Sequence, residues 1–92
     1  MSTSLARKMK IGNEKGLHPR ASAKFVDVVE NHDARARVSK DGMEAEGDSI
    51  MGLLMLAASR GSEIEVETSG PQAEALMEAL DALVADKFGE GM

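Results

Sequence analysis

The stretch Asn13 to Phe25, NEKGLHPRASAKF, sets one imidazole, His18, two residues before one guanidinium, Arg20, at the point where a helical pattern begins. Neutral imidazole is a nucleophile, and its nitrogen can attack phosphorus to form a covalent phosphoryl intermediate. The first N–H groups of a helix lack intrahelical partners, and the helix dipole adds partial positive charge there. Such an end attracts phosphate. Arg20 adds a planar fork suited to phosphate oxygens. A nucleophile, a fixed cation and a positive helix end would then meet at one point. The plainer reading keeps His18 as a solvated turn residue or a local hydrogen-bond partner, and residue types alone leave both open. Metal chemistry fits less well, because no second histidine lies at ligand spacing, and neither metal nor cofactor is expected. His32 reads as a cap on the C-terminal end of the same helix, where positive charge is welcome.

A second stretch, GDSIMGLLMLAAS, carries apolar residues all round its helical projection. That pattern normally means full burial. One small domain cannot enclose such a helix completely, so some of Ile50, Met51, Leu54 and Met55 are expected at the surface. Exposed apolar patches mark protein interfaces, and methionine suits a surface that accepts several partners. The alternative, a helix that is simply core, stays open. Ser49 opens this helix. Its plain role is N-cap, with Asp48 a competing cap one residue earlier. It could also accept a phosphate, since a dianion is tolerated at a helix start.

Several elements must position these groups. Leu5 to Ile11 alternate as a strand, although Arg7 falls on the apolar side. A loop follows from Gly12 to Leu17. From about Pro19, which suits a first helical turn, Ala21, Phe25, Val28 and Val29 share a helical face. Asn31 to Asp33 end that helix. Ala34, Ala36 and Val38 alternate with Arg35, Arg37 and Ser39, and Asp41-Gly42 predicts a hairpin. The return strand sets Met43 and Ala45 against Glu44 and Glu46. The short helix is expected over about Ser49 to Ser59, with a turn at Gly61 and a strand from Glu63 to Glu67. Gly70-Pro71 opens the last helix, where Ala73, Leu76, Met77, Leu80, Leu83, Val84 and Phe88 form one stripe. The final GEGM is expected to fray.

Charge predicts the strand order. Lys8 and Lys10 on the first strand, and Arg35 and Arg37 on the second, would face Glu63, Glu65 and Glu67 on the last. Opposite charges prefer to pair across strands. The hairpin keeps the third strand beside the second, giving the order 1-4-2-3. One sheet face is then fully charged, so the helices must cover the other. The expected fold is an α+β, βαββαβα open-faced sandwich: a four-stranded antiparallel sheet with three helices on one face, formed as a single domain over residues 1–92.

Composition narrows the function. The 92 residues include no cysteine, two phenylalanines as the only aromatics and seven methionines, and carry a net charge of −5. Disulfides and thiol chemistry are excluded. No basic stripe with interleaved aromatics suggests nucleic acid. No apolar run approaches the ~20 residues of a membrane helix, and the start lacks a signal-peptide pattern, so a cytoplasmic protein is expected.

GLHPRASAKFV followed by GDSIMGLLML, in a βαββαβα chain of this length, resembles HPr, the histidine-containing phosphocarrier family of the bacterial phosphoenolpyruvate-dependent phosphotransferase system. The likeness runs from about Leu5 to Phe88. It implies a non-enzymatic carrier whose His18 is phosphorylated at Nδ1 by phospho-enzyme I and passes the group to an enzyme II A-type component. Arg20 matches the arginine that steadies the phosphoryl group. Ser49 matches the serine modified by HPr kinase/phosphorylase in some bacteria. Ile50, Met51, Leu54 and Met55, with Ala23, match the patch that docks partners. A carrier face of this kind suits a monomer.

The chain departs from the usual Gly-Leu-His-Ala-Arg-Pro-Ala motif. Pro19 follows the histidine directly, removing one backbone N–H near the phosphate, and Ala21 takes the usual proline position. Asp48 stands where a basic residue is common in chains regulated at the serine. The acidic balance hints at a nitrogen-related branch rather than sugar uptake. Two readings from other classes compete: a regulatory binding module controlled by phosphorylation of Ser49, and a small phosphatase resembling acylphosphatase. The latter needs a longer glycine-rich phosphate loop that the chain lacks.

Overall fold

The charge ladder sets the sheet. The computed structural model describes residues 4–90. Its elements run β1 (Ser4–Lys10), α1 (Pro19–Glu30), β2 (Arg35–Lys40), β3 (Met43–Glu46), α2 (Ile50–Met55), β4 (Glu63–Ser69) and α3 (Ala73–Ala85), followed by one 3-10 turn, Lys87–Gly89. The strands lie in the order β1-β4-β2-β3, with every neighbouring pair antiparallel. In register, Lys8 stands opposite Glu65 and Lys10 opposite Glu63. Arg37 sits between Glu67 on one side and Glu46 on the other. Like charges are thus kept apart across the strands, which is the arrangement that cross-strand electrostatics favours.

The opposite face is apolar and carries the helices. Ile64 and Val66 of β4, Ala36 and Val38 of β2, and Met9 of β1 are buried there against Phe25, Leu53, Leu76 and Leu80. Arg7, which interrupts the alternation of β1, reaches α3 instead: its guanidinium bonds Asp81 at 2.7 Å and lies 3.6 Å from Glu78. Its charge therefore stays solvated and paired at the sheet edge.

Four expectations need correction. The short helix does not run to Ser59. It ends at Met55, capped by Leu56, and Ala57 turns into left-handed backbone at φ 53°. Tertiary hydrogen bonds end it. The Ala58 carbonyl accepts the Leu17 N–H at 2.9 Å, and Ile11 exchanges bonds with Ser62 and Gly61 at 2.8 Å each. Phe88 is fully buried as expected but does not continue the stripe of α3. It sits in the separate 3-10 turn at φ 55°, next to Lys87 at φ 54°. The closing segment is also not frayed as far as Glu90, whose side chain is bonded into the loop before α1. Gly91 and Met92 lie outside the described residues. On the hairpin, Met43 is exposed rather than packed, because it begins the short edge strand beyond the core.

Candidate functional site

His18 caps α1. Its backbone is extended (φ −73°, ψ 174°), and Pro19 supplies the first helical residue with φ already set and no N–H to satisfy. The imidazole Nδ1 accepts the backbone N–H of Arg20 at 3.3 Å, taking the place that Ser, Thr, Asp or Asn more often fills at an N-cap. The Ser22 N–H is bonded to the His18 carbonyl at 2.9 Å, and the buried Ser22 hydroxyl donates to the Leu17 carbonyl. Both ends of the first turn are thereby fixed.

The loop before His18 is pinned by close backbone approach. Gly16 has φ 65°, and a Cβ there would lie 2.3 Å from the Ala58 carbonyl oxygen. Only glycine satisfies both conditions. Asn13 is fully buried beneath this turn. Its amide nitrogen donates to the Gly16 carbonyl at 2.8 Å and to Glu90 Oε1 at 3.0 Å. Those two acceptors fix the orientation of the Asn13 amide.

The second oxygen of Glu90 meets His18 Nε2. The two side chains are only 19% and 17% exposed, so the contact is largely shielded from water. It holds the Glu90 carboxyl below the ordinary glutamate range. The bond to His18 is the largest cause and the Asn13 amide the next, while partial desolvation opposes them. His18 and Glu90 line a cleft of about 560 Å³ together with Glu14, Lys15, Pro19 and Arg20. Arg20 is exposed at its rim, and among the described residues no carboxylate pairs with its guanidinium.

The cleft therefore combines an imidazole with one nitrogen directed at a helix N-terminus, an available guanidinium and a carboxylate behind the other nitrogen. It can receive an anion at Nδ1. Among the described residues no cluster of three or more His, Asp or Glu side chains could hold a metal ion, and no helix is long and apolar enough to cross a membrane. His32 takes the capping role expected of it, with Nδ1 bonded to the Val28 carbonyl at 2.7 Å.

The other expected residues fall nearby but outside the cleft. Ala23 is exposed on α1, one helical turn from Arg20. α1 packs against α2, where Met51 is 70% and Met55 67% exposed, Ile50 is exposed, Leu54 is half-buried and Leu53 is buried. The helix is thus neither wholly core nor wholly surface. Ser49 is its N-cap, and its Oγ accepts the Gly52 N–H at 3.0 Å.

Asn13 and Glu90 were not among the residues singled out in the sequence. A buried asparagine just before a glycine turn, and an acidic residue two positions after an aromatic anchor, are the only signals either leaves.

Comparison with known proteins shows the family. The family model for the PTS HPr component phosphorylation site matches residues 5–86. The phosphocarrier protein HPr of Cupriavidus necator is 45% identical over 95% of this chain and 98% of its own length. The phosphocarrier protein NPr of Escherichia coli is 39% identical over 89% and 92%. In structure, an HPr from Thermoanaerobacter tengcongensis superposes with a TM-score of 0.91 at 32% identity, covering 96% of this chain and 99% of its own. With these likenesses spanning nearly its full length, the chain belongs to the HPr/NPr family of phosphocarriers of the phosphotransferase system.

Proposed function

We propose that this chain carries a phosphoryl group on Nδ1 of His18, taking it from phospho-enzyme I and passing it to an enzyme II A-type component of the sugar or nitrogen-related branch. The observation that carries the reading is the direction of Nδ1. Its lone pair already points to the N-terminus of α1, where the Arg20 N–H now bonded to it would turn to a phosphoryl oxygen. Arg20 is free to close its guanidinium over the same oxygens. Pro19 contributes no N–H, so the backbone donors to the anion begin at Arg20.

Attack by Nδ1 forms the N–P bond as the donor's bond to phosphorus breaks and its electron pair leaves with the donor. Onward transfer reverses this. The chain is substrate and product of its partners rather than a catalyst with turnover of its own. Ile50, Met51, Leu54, Met55 and Ala23 form the docking surface, and modest affinity suits a carrier that must release each partner. A module switched at Ser49 by an HPr kinase/phosphorylase finds less support here, because the Ser49 hydroxyl caps α2 and, of the two candidate phosphate acceptors, only His18 lines the cleft.

Incubation with phosphoenolpyruvate and enzyme I tests the proposal. Intact-protein mass spectrometry is expected to show one added phosphoryl group, lost in acid and mapped to His18. An unmodified protein, or an acid-stable adduct on a serine, overturns it.

A further inference from the structure

The Glu90 carboxylate reaches His18 from 72 residues away. It lies beyond the residues that the family model matches. Its position is nonetheless built. Phe88 is fully buried, Lys24 Nζ donates to the Phe88 carbonyl at 2.6 Å, and Asn13 donates to Glu90 Oε1 at 3.0 Å. Three separate contacts thus deliver one carboxylate to the imidazole.

Bond directions then fix the tautomer. Nδ1 accepts the Arg20 N–H, so it carries no proton. An ionised carboxylate can only accept, so Nε2 must donate to Glu90. In the neutral ring the proton therefore sits on Nε2 and the lone pair on Nδ1.

We propose that Glu90 is a positioning residue for phosphoryl transfer: it holds the proton on Nε2, keeps Nδ1 free as the nucleophile and balances the imidazolium charge after Nδ1 is phosphorylated. This inference deepens the carrier reading and rests on it. Its chemical advantage is that no proton moves on the carrier. Nδ1 attacks with a lone pair already in place, giving a cationic ring with Nε2–H still bonded to Glu90. When the N–P bond breaks, its electron pair returns to Nδ1 and the neutral Nε2–H ring is restored.

The contact makes an unusual prediction about the isosteric variant. Asn13 already donates to one end of the Glu90 side chain. In Glu90→Gln, the amide oxygen must face Asn13, and the NH2 group then donates toward His18 Nε2. That favours the opposite tautomer, with the proton on Nδ1 and the nucleophile blocked. Glu90→Ala leaves the ring to its own preference. Glu90→Gln is therefore expected to be the worse of the two variants. A packing role would rank them the other way.

The experiment uses the full chain and needs no partner protein. The ring 15N shifts of His18 report the tautomer in the wild type, Glu90→Gln and Glu90→Ala. Phosphoramidate then supplies the phosphoryl group: Nδ1 attacks phosphorus, the P–N bond breaks and ammonia departs with the electron pair. The expected result is an Nε2–H ring in the wild type and a shift toward Nδ1–H in Glu90→Gln. Phosphorylation of Glu90→Gln should slow about tenfold, the lower end of the scale on which carboxylate partners of metal-bound histidines act, with Glu90→Ala between it and the wild type. An unchanged tautomer in Glu90→Gln, or a Gln variant that reacts faster than the Ala variant, overturns the role. The tautomer measurement involves no phosphoryl donor, so it decides whether Glu90 sets the His18 tautomer separately from whether enzyme I phosphorylates the wild type.

Discussion

Lys24, one and a half turns into α1, donates from Nζ to the backbone carbonyl of Phe88 at 2.6 Å. The helix that His18 caps and the turn that carries Glu90 are thereby tied together. The tie holds an unfavourable backbone in place, because Lys87 and Phe88 are consecutive non-glycine residues with left-handed φ. Burial of Phe88 supplies the other restraint.

Lys24→Met keeps the aliphatic stem and removes the donor. The variant is expected to lose about 1 kcal/mol of stability, below the range for a fully buried bond to a charged donor because Lys24 is only half-buried. Hydrogen exchange should show a local effect: the Gly89 and Glu90 amides, bonded to Asp86 and Lys87, lose protection while the β4 amides keep theirs. Uniform loss of protection would place the contact's effect elsewhere.

Acid should release the same turn. The Glu90 carboxyl titrates below its ordinary value of 4.5, chiefly through the bond to His18 and then the Asn13 amide, with Lys24 adding attraction. A depressed carboxylate pKa contributes stability that is fully present above the unfolded value and is lost as pH falls through the folded one. The contribution is therefore fully present above the ordinary value of 4.5 and is lost below it as the carboxyl protonates. The side-chain carboxyl 13C shift of Glu90 should follow this titration, and in His18→Ala its midpoint should move up toward the ordinary value. A midpoint unchanged by His18→Ala would remove the bond as the cause.

Much of this architecture was legible because it obeys short-range rules. The alternation of Lys8 and Lys10 with Glu63 and Glu65 predicts the strand order, and His18-Pro19 marks the start of α1. The end of α2 was not legible. Leu56 to Ser59 continue an acceptable helical pattern, which does not encode the left-handed Ala57 or the bond from the distant Leu17 N–H to Ala58. Glu90 was hidden for a related reason. Its place beside His18 depends on two left-handed residues and on Lys24, none of which periodicity encodes. The candidate site was half visible: its imidazole and guanidinium lie in one short segment, and its carboxylate arrives from the other end of the chain.

Gly16→Ala should be the most damaging single change near the site. Its φ of 65° disfavours any Cβ, and that Cβ would meet the Ala58 carbonyl at 2.3 Å. The left-handed backbone alone costs roughly 1–2 kcal/mol. Displacing Ala58 also strains its bond to Leu17. Together these are expected to cost about 2–4 kcal/mol in urea unfolding. Gly42→Ala, where nothing lies within 4 Å of the added Cβ, shares the positive φ without the clash and is the matched control. Equal losses at the two positions would show that the approach to Ala58 is unimportant.

Arg20→Ala separates charge from nucleophile. The guanidinium is exposed and makes none of the ion pairs among the described residues, so its removal should leave thermal stability within about 0.5 kcal/mol of the wild type. The rate of phosphoryl transfer from enzyme I is expected to fall at least about tenfold. That is less than the ~100-fold or more lost with a buried oxyanion donor, because water screens a group at the rim. An unchanged rate would restrict phosphoryl stabilisation to the backbone of α1.

Met51→Glu probes the docking surface without touching the cleft. Met51 packs little in the free protein, so the fold should tolerate the change. In a complex, the same side chain would meet an apolar partner surface, and a buried unpaired carboxylate there is costly. Binding to enzyme I, measured by calorimetry, is expected to weaken at least about tenfold, or roughly 1.4 kcal/mol. Met43→Glu is the control, because Met43 is also exposed but belongs to the β2–β3 hairpin and not to α2. If both variants bind as the wild type does, the methionines of α2 are solvent-facing bystanders and partners approach His18 from another side. Loss in Met51→Glu alone would set α2 and the N-terminus of α1 within one interface, with the nucleophile at its edge.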